Sequence, residues 1–434
     1  MLDQFKAHLE RHFPHLFSAK ILVACSGGID SVLLAYFAKA CRLNISLAHC
    51  NYHLRGEESD GDADFVRQLA KSLQVPLHST GFNTLEIQRK QGGSIQMVAR
   101  ELRYEYFEEL CQKNGYDFVL TGHHANDSLE TFTINLSRGT GIDGLLGVPA
   151  INGKYNRPLL LFTRKELMAY ARNHRIQWRE DSSNKSNKYI RNRIRNKIVP
   201  ELERLHPNFD QNFIQTLGYL KESATLLDAY ANRLRKEFFM QGEYGIRIPI
   251  SNLRNLQPLD AHLHLLFKPY GFTQWEDLLR MLQSTSGKEI YSTTHRLVKD
   301  REELLLLTLG TATENEFFIE KEMSQIVRPI ALRFEEVDTI KEKKQNIAYL
   351  NKDLLKYPLV LRKWQNADYF YPIGMQGKKK LSKYFKDKKM SIIAKEQQWL
   401  LCSGEDIIWV VGHRLDHRYR VTADTTQIVK VILD

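Results

Sequence analysis

The sequence predicts an α/β protein: an N-terminal doubly wound parallel sheet, a mainly helical middle domain and a small α+β C-terminal domain. Two observations carry this. From Lys20 to about Trp178, short apolar runs alternate with helix-length amphipathic runs, the pattern of βαβ units and a parallel sheet. After Pro200 the alternation stops, and the chain becomes first helical, then short-stranded and lysine-rich.

Taken in order, "ILVAC" (21–25) is a strand and leads into a helix ending near Cys41. "ISLAHC" (45–50) is a strand and "GDADFVRQLAKSL" (61–73) a helix. "VPLHST" (75–80) is a strand, and a long helix follows over 94–115, stopped at Gly115. "DFVLTGHH" (117–124) is a strand and "NDSLETFTINLSRG" (126–139) a helix. The strands are continuously apolar, as expected where both faces of a parallel sheet are covered. Thr163 and Glu166 stand three apart, a capping-box start for another helix. Beyond residue 208, the stretch 212–241 has helical apolar spacing, 259–272 and 274–284 read as shorter helices, and 288–309 has hairpin character. Residues 311–358 are charged and largely aperiodic and read as a connecting region. The boundaries expected are therefore 1–208, 209–310, 311–358 and 359–434.

The net charge is +11 and the pI is near 9.2. An excess of this size favours an anionic partner, nucleic acid first. The five cysteines (Cys25, Cys41, Cys50, Cys111, Cys402) are odd in number and contain no C-x-x-C pair, which argues against a disulfide framework, a zinc ribbon and a redox pair. The N-terminal stretch is charged and no apolar run reaches membrane-spanning length, so a cytoplasmic protein with no membrane partner is expected.

Five stretches carry chemistry. In "SGGIDS", Gly27 and Gly28 let the backbone turn sharply against an anion, Ile29 opens a helix whose unpaired N–H groups face that anion, and Ser26 and Ser31 add hydroxyls. Asp30 makes a metal-bound phosphate plausible there. In "HHAND", His123 and Asp127 lie four apart at a second strand end and supply a titratable pair. Strands one and four of a parallel sheet both end at the carboxyl edge, so the two loops should face one crevice. Arg100 and Arg103 share a helix face and suit phosphate or substrate oxygens. Tyr189, Arg191, Asn192, Arg193 and Arg195 lie in an arginine- and asparagine-rich segment suited to a phosphate backbone and an unstacked base. Near the C-terminus Lys378, Lys379 and Lys380 open a dense lysine cluster interleaved with Tyr384 and Phe385, which suggests tracking of RNA.

The S-G-G-x-D-S loop resembles that of the pyrophosphatase-loop (PP-loop) ATP enzymes, which have a Rossmann-like sheet. The resemblance narrows with "AHCNYHLRGEESDGDADF", "SIQMVARELRYEYF", "TGHHANDSLETFTINLSRGTGIDGLLG", "RPLLLFTRKEL" and "WREDSSNKSNKYIRNRIRNKIVPEL", which occur in this order and are similar to the tRNA(Ile)-lysidine synthase family. "GMQGKKKLSKYF" and "WVVGHRLDHRYRVTADT" resemble the C-terminal domain of that family. The resemblance implies ATP and Mg²⁺, with Asp30 and Asp127 as metal ligands, and ligation of free L-lysine to the wobble cytidine of an isoleucine tRNA with a CAU anticodon. The product, lysidine, reads AUA in place of AUG. A homodimer is left open. Two features depart from the family pattern: Asn126 stands where an aspartate is common, and Tyr52 where histidine is commoner. Another PP-loop enzyme, such as a tRNA thiolase or an amidotransferase, and a non-catalytic tRNA-binding protein remain as alternatives.

Overall fold

A computed structural model describes residues 1–180, 190–310, 316–375 and 377–434. Its first sheet contains β1 (Lys20–Ala24), β2 (Asn44–Asn51), β3 (Leu77–Gly81), β4 (Phe118–Leu120), β5 (Ile151–Asn152) and β6 (Tyr155–Asn156), in the spatial order β3-β2-β1-β4-β6-β5. Every pairing is parallel except that of β5 with β6. The chain winds outward from β1 through β2 to β3, then returns to place β4 on the other side of β1. The reversal lies between β1 and β4, the switch point beside which ligands bind in open α/β sheets.

The helices of this region are α1 (Leu2–His12), α2 (Ile29–Ala40), α3 (Glu57–Leu73), α4 (Thr84–Gln91), α5 (Ile95–Asn114), α6 (Ala125–Arg138), α7 (Ile142–Leu145) and α8 (Arg164–Asn173). Side chains of β1 alternate between two cores, as the pleat requires. Ile21 and Val23 join α1, α2, α3 and α8 on one face, while Leu22 joins Phe107, Leu110 and Cys111 of α5 on the other. Eight of the twelve residues of α2 are buried. At about 1.5–3 kcal/mol per buried large apolar side chain, that packing outweighs the weak helix propensity of its β-branched residues. Ser94 caps α5 by accepting from Met97 N–H, and Gly115 ends it in the left-handed conformation at φ 67°. Thr163 and Glu166 form the capping box read from the sequence, at the start of α8. The short α4, set off from α5 by glycines, has no counterpart in the sequence reading.

Residues 190–205 are helical, with a π turn at Ile194–Ile198 inside them. Pro200 has no N–H and cannot complete an α-helical bond to the carbonyl four residues back, which accounts for the widened turn before it.

The chain forms two compact units, Met1–Leu226 and Leu227–Asp434. In the second, the helices Ile250–Arg254, Leu259–Phe267 and Trp275–Gln283 pack on a five-stranded antiparallel sheet. The hairpin character of 288–309 is its strands His295–Asp300 and Glu303–Thr308. The C-terminal part consists of two four-stranded antiparallel sheets around one core, with helices Leu381–Asp387 and Ile392–Gln397. Here the structure corrects the sequence reading. Residues 316–351 are not a connector: Glu316–Ile319 pairs with Leu359–Lys363, and Leu332–Val337 and Ile347–Asn351 flank the last strand, Ile428–Leu433. One face of these strands is wet, so their polar residues hid the alternation. No described helix is long and apolar enough to cross a membrane.

Candidate active site

The loops after β1 and β4 touch backbone to backbone. A Cβ on Gly122 would lie 3.0 Å from Asp30 C and from Ser31 N, so any larger residue would push the two backbones apart. Gly27 has φ +88°, a conformation that favours glycine. Ser31 Oγ donates to Gly28 O at 2.9 Å and accepts from Ser26 N–H at 3.2 Å, which folds the turn back over the start of α2.

Between these loops is a cavity of about 420 Å³. Ser26, Gly28, Asp30 and Ser31 form one side, and His123, His124 and Asp127 the other. Ala24, Ala48 and Phe107 give it an apolar wall. A second cavity of about 640 Å³ holds Arg100, Arg191, Asn192 and Glu130. Arg103 and Arg195 line both. The structure thus gathers most of the residues singled out from the sequence. Gly27 and Ile29 shape the turn without lining the first cavity. Arg193 is exposed and lies outside the lining of the second, and Tyr189 lies outside the described residues.

The sequence reading paired His123 with Asp127. The structure gives the central place to His124, which is 2% exposed. Its Nε2 is 3.7 Å from Asp30 Oδ2 and 3.7 Å from Asp127 Oδ2. His124 precedes the first turn of α6, and its N–H donates to Asp127 Oδ2 at 2.8 Å. The His123 ring bonds instead to Thr121 Oγ1 at 3.0 Å, and burial pushes its pKa down to about 4, so it is neutral at physiological pH. Burial raises the pKa of Asp30, with His124 opposing it. At Asp127 burial acts in the same sense, but His124, His123, the His124 N–H and Arg195 outweigh it and hold the carboxyl below its usual value. A carboxyl held low in this way is a weaker proton acceptor than an ordinary aspartate.

Asn126 does not enter this cavity. Its Oδ1 accepts from Arg164 N–H at 2.9 Å and caps α8. Asp30 and Asp127 are the carboxylates on hand for a cation; among the described residues no group of three or more metal-ligating side chains exists. Asp30 Oδ1 is buried without a hydrogen-bond partner. Two carboxylates, one with an unsatisfied oxygen, fit Mg²⁺, which binds one or two protein carboxylates and completes its shell with water and phosphate oxygens.

Sequence reasoning missed Glu130. It is 1% exposed, Oε1 accepts from Arg195 Nε at 2.6 Å, and Oε2 is buried without a hydrogen-bond partner. Burial raises its pKa, with Arg195 opposing. The signal was its position three residues after Asp127, on the same face of α6. Tyr52 stacks on Phe82 and lines the first cavity. The thiols of Cys25 and Cys50 are both pushed up to about 11 by burial, so neither is a thiolate nucleophile.

In the second unit Lys378, Lys380, Lys383, Lys386, Lys388 and Lys389 are exposed, whereas Lys379 is half-buried and paired with Asp387 at 2.7 Å. Tyr384 and Phe385 are core residues at 4% and 0% exposure, so they cannot stack on bases as their interleaving with lysine suggested. Tyr369 is 45% exposed, with Lys378 over its ring.

Three family descriptions match the chain: a PP-loop domain over residues 1–202, a TilS substrate binding domain over 241–309 and a TilS substrate C-terminal domain over 359–432. A tRNA(Ile)-lysidine synthase of Parabacteroides distasonis is 38% identical over 99% of both chains. Another from Bacteroides thetaiotaomicron is 37% identical over 97% of both. Among solved structures, the U34-tRNA thiolase NcsA from Methanococcus maripaludis is 18% identical, covering 51% of this chain and 80% of its own at a TM-score of 0.42, a likeness that says nothing about activity. On identity over nearly the whole length, this chain belongs to the tRNA(Ile)-lysidine synthase family.

Proposed function

We propose that this enzyme ligates free L-lysine to the wobble cytidine of an isoleucine tRNA with a CAU anticodon, in the cytoplasm, with the chemistry placed where the two cavities share Arg103 and Arg195. That juxtaposition carries the reading: a glycine-turn cavity built for phosphates opens beside an arginine-walled cavity with a buried carboxylate. ATP lies with its phosphates against Ser26–Ser31 and its purine on the apolar wall. The cytosine carbonyl oxygen attacks the α-phosphorus, and the bond to the β-phosphate oxygen breaks, releasing pyrophosphate. An amine of lysine then attacks the activated ring carbon, and the carbon–oxygen bond breaks, releasing AMP. Mg²⁺ held by Asp30 and Asp127 would neutralise charge on the phosphates.

The residues of the chain divide this work. Gly28 N–H, which meets Ser26 Oγ at 3.4 Å, and the Ser26 hydroxyl are the donors that turn to the phosphates, while Ser31 Oγ is spent on Gly28 O and holds the turn in shape, an arrangement that stabilises developing charge with little reorganisation. Arg103, at the junction, meets the negative charge passing between the two steps. A lysine amine is mostly protonated near neutral pH and must lose a proton before it attacks. Glu130, buried and with a raised pKa, is the better acceptor for it than Asp127. The deciding experiment measures pyrophosphate release with tRNA and lysine each omitted in turn, and nucleoside mass in the product. Pyrophosphate should appear with tRNA and ATP, and the lysyl mass increment only when lysine is added. A sulfur increment, or turnover indifferent to tRNA, would defeat the proposal.

The exposed lysines of the C-terminal domain serve to anchor tRNA. Each phosphate neutralised releases counterions, so log affinity falls with log salt by about 0.7–0.9 per contact. Changing Lys378, Lys380 and Lys383 together to glutamine should reduce that slope by about 2 while ATP chemistry stays intact. An unchanged slope would make the cluster an ordinary solvated surface.

A further inference from the structure

The phosphate-facing loop is held from behind by residues that touch neither cavity. The backbone N–H of Arg179 donates to Gly27 O at 2.9 Å. Its side chain is clamped in turn: Arg179 Nε donates to Asp62 Oδ1 at 3.0 Å. Arg55 donates to the other oxygen, Asp62 Oδ2, at 2.7 Å. Asp62 is 9% exposed and sits in the second turn of α3, so its carboxylate is fixed by the helix.

A trans peptide is planar, with its C=O and N–H pointing in opposite directions. Binding Gly27 O from behind therefore turns the N–H of the next residue, Gly28, toward the cavity that Gly28 lines. Gly27 has no side chain to bias its own torsions at φ +88°, and inside the loop the peptide is held only by a long bond from Gly28 N–H to the cavity-lining Ser26 Oγ at 3.4 Å, so the bond from Arg179 behind it is its shorter restraint. The preceding turn of chain is held in the same manner. His49, 4% exposed, donates from Nδ1 to Cys25 O at 2.9 Å; because a carbonyl can only accept, the proton must lie on Nδ1.

We propose that Asp62 and Arg179 are positioning residues of this reaction: together they set the direction of the Gly28 amide and hence the affinity of the loop for the phosphates of ATP. The inference rests on the reading that ATP binds at Ser26–Ser31. Neither residue touches substrate, and Arg179→Ala keeps a backbone N–H, so what it loses is the clamp alone.

The test is steady-state kinetics of the full-length enzyme with ATP, lysine and tRNA varied in turn, for Asp62→Ala, Arg179→Ala, the double variant and Asp62→Asn. Each single alanine variant should raise KM for ATP about tenfold, with KM for lysine and Kd for tRNA within twofold of wild type. The double variant should be no worse than either single one, because one clamp is broken in all three. Asp62→Asn, which keeps an acceptor for Arg179 Nε, should recover part of the loss. General destabilisation would instead lower kcat with every KM unchanged and would show in the melting temperature. An unchanged KM for ATP in folded variants, or additive losses in the double variant, overturns the proposal. Asp30→Ala, run in parallel, separates the two readings: if it too leaves ATP turnover intact, the ATP site itself is misplaced, and if it alone abolishes turnover, only the clamp fails.

Discussion

Asp30→Ala is expected to reduce ATP turnover by at least about 10²–10³-fold, the range seen when one preorganised electrostatic contact to a transition state is removed. Affinity for tRNA should stay within twofold. Two features of the site give this separation. Asp30 presents a buried, unpartnered oxygen beside the glycine turn, and its other oxygen lies 3.7 Å from the His124 ring that also faces Asp127. The exposed lysines belong to the other compact unit. Asp30→Asn keeps the shape and removes the charge, so it should be nearly as inactive. Radiolabelled ATP turnover and filter binding of tRNA, measured on the same preparations, decide the matter. A parallel fall in both would tie Asp30 to tRNA and break the division of labour.

Glu130→Gln should divide the reaction into its halves. Pyrophosphate release should survive, whereas lysine transfer should fall about 10²–10⁴-fold, the contribution usual for a positioned proton acceptor. The acid limb of the pH profile of wild-type lysine transfer reflects protonation of Glu130, whose raised pKa places it above an ordinary carboxylate. In the glutamine variant that limb should disappear from what activity remains. Because removing one partner of a buried ion pair can cost about 3–5 kcal/mol, Glu130→Ala would confound chemistry with unfolding. Glutamine keeps an acceptor for Arg195 and is the better probe. An accumulating adenylylated tRNA, trapped and identified by mass, is the expected sign. Full lysine transfer by a folded variant would remove Glu130 from the mechanism.

How much of this was legible in the sequence depended on whether a residue's role is local. The glycine turn, its flanking strand and the helix after it are local, and "SGGIDS" carried them. The meeting of the loops after β1 and β4 followed from the rule that parallel strands end at one edge. Which histidine faces the carboxylates was not legible, because His123 and His124 are adjacent and a strand-to-helix junction decides which ring turns inward. Glu130 was hidden for another reason. It is one acid on an amphipathic helix, and its burial depends on Arg195 arriving from a segment 65 residues away. The strands between 316 and 351 were missed because their partners lie far along the chain, Leu332 pairing with Leu433 and Ile347 with Ile432, and half-wet strands look like loops. Tyr384 and Phe385 were misread because lysines crowd the same short helix, one face of which enters the core.

The backbone contact at Gly122 has a consequence for how ATP is taken up. Two backbones this close, with no side chain between them, leave little space for one to move without the other. The donors proposed to meet the phosphates are therefore braced before the nucleotide arrives. Fixing a flexible residue costs about 1–2 kcal/mol of conformational entropy, and a loop that closed on its ligand would subtract that from affinity at every residue it ordered. Here the ordering is completed when the protein folds, so nucleotide affinity should change little with temperature-driven loop motion, and the intrinsic interaction energy of the phosphates remains available to drive the exchange of pyrophosphate and then AMP.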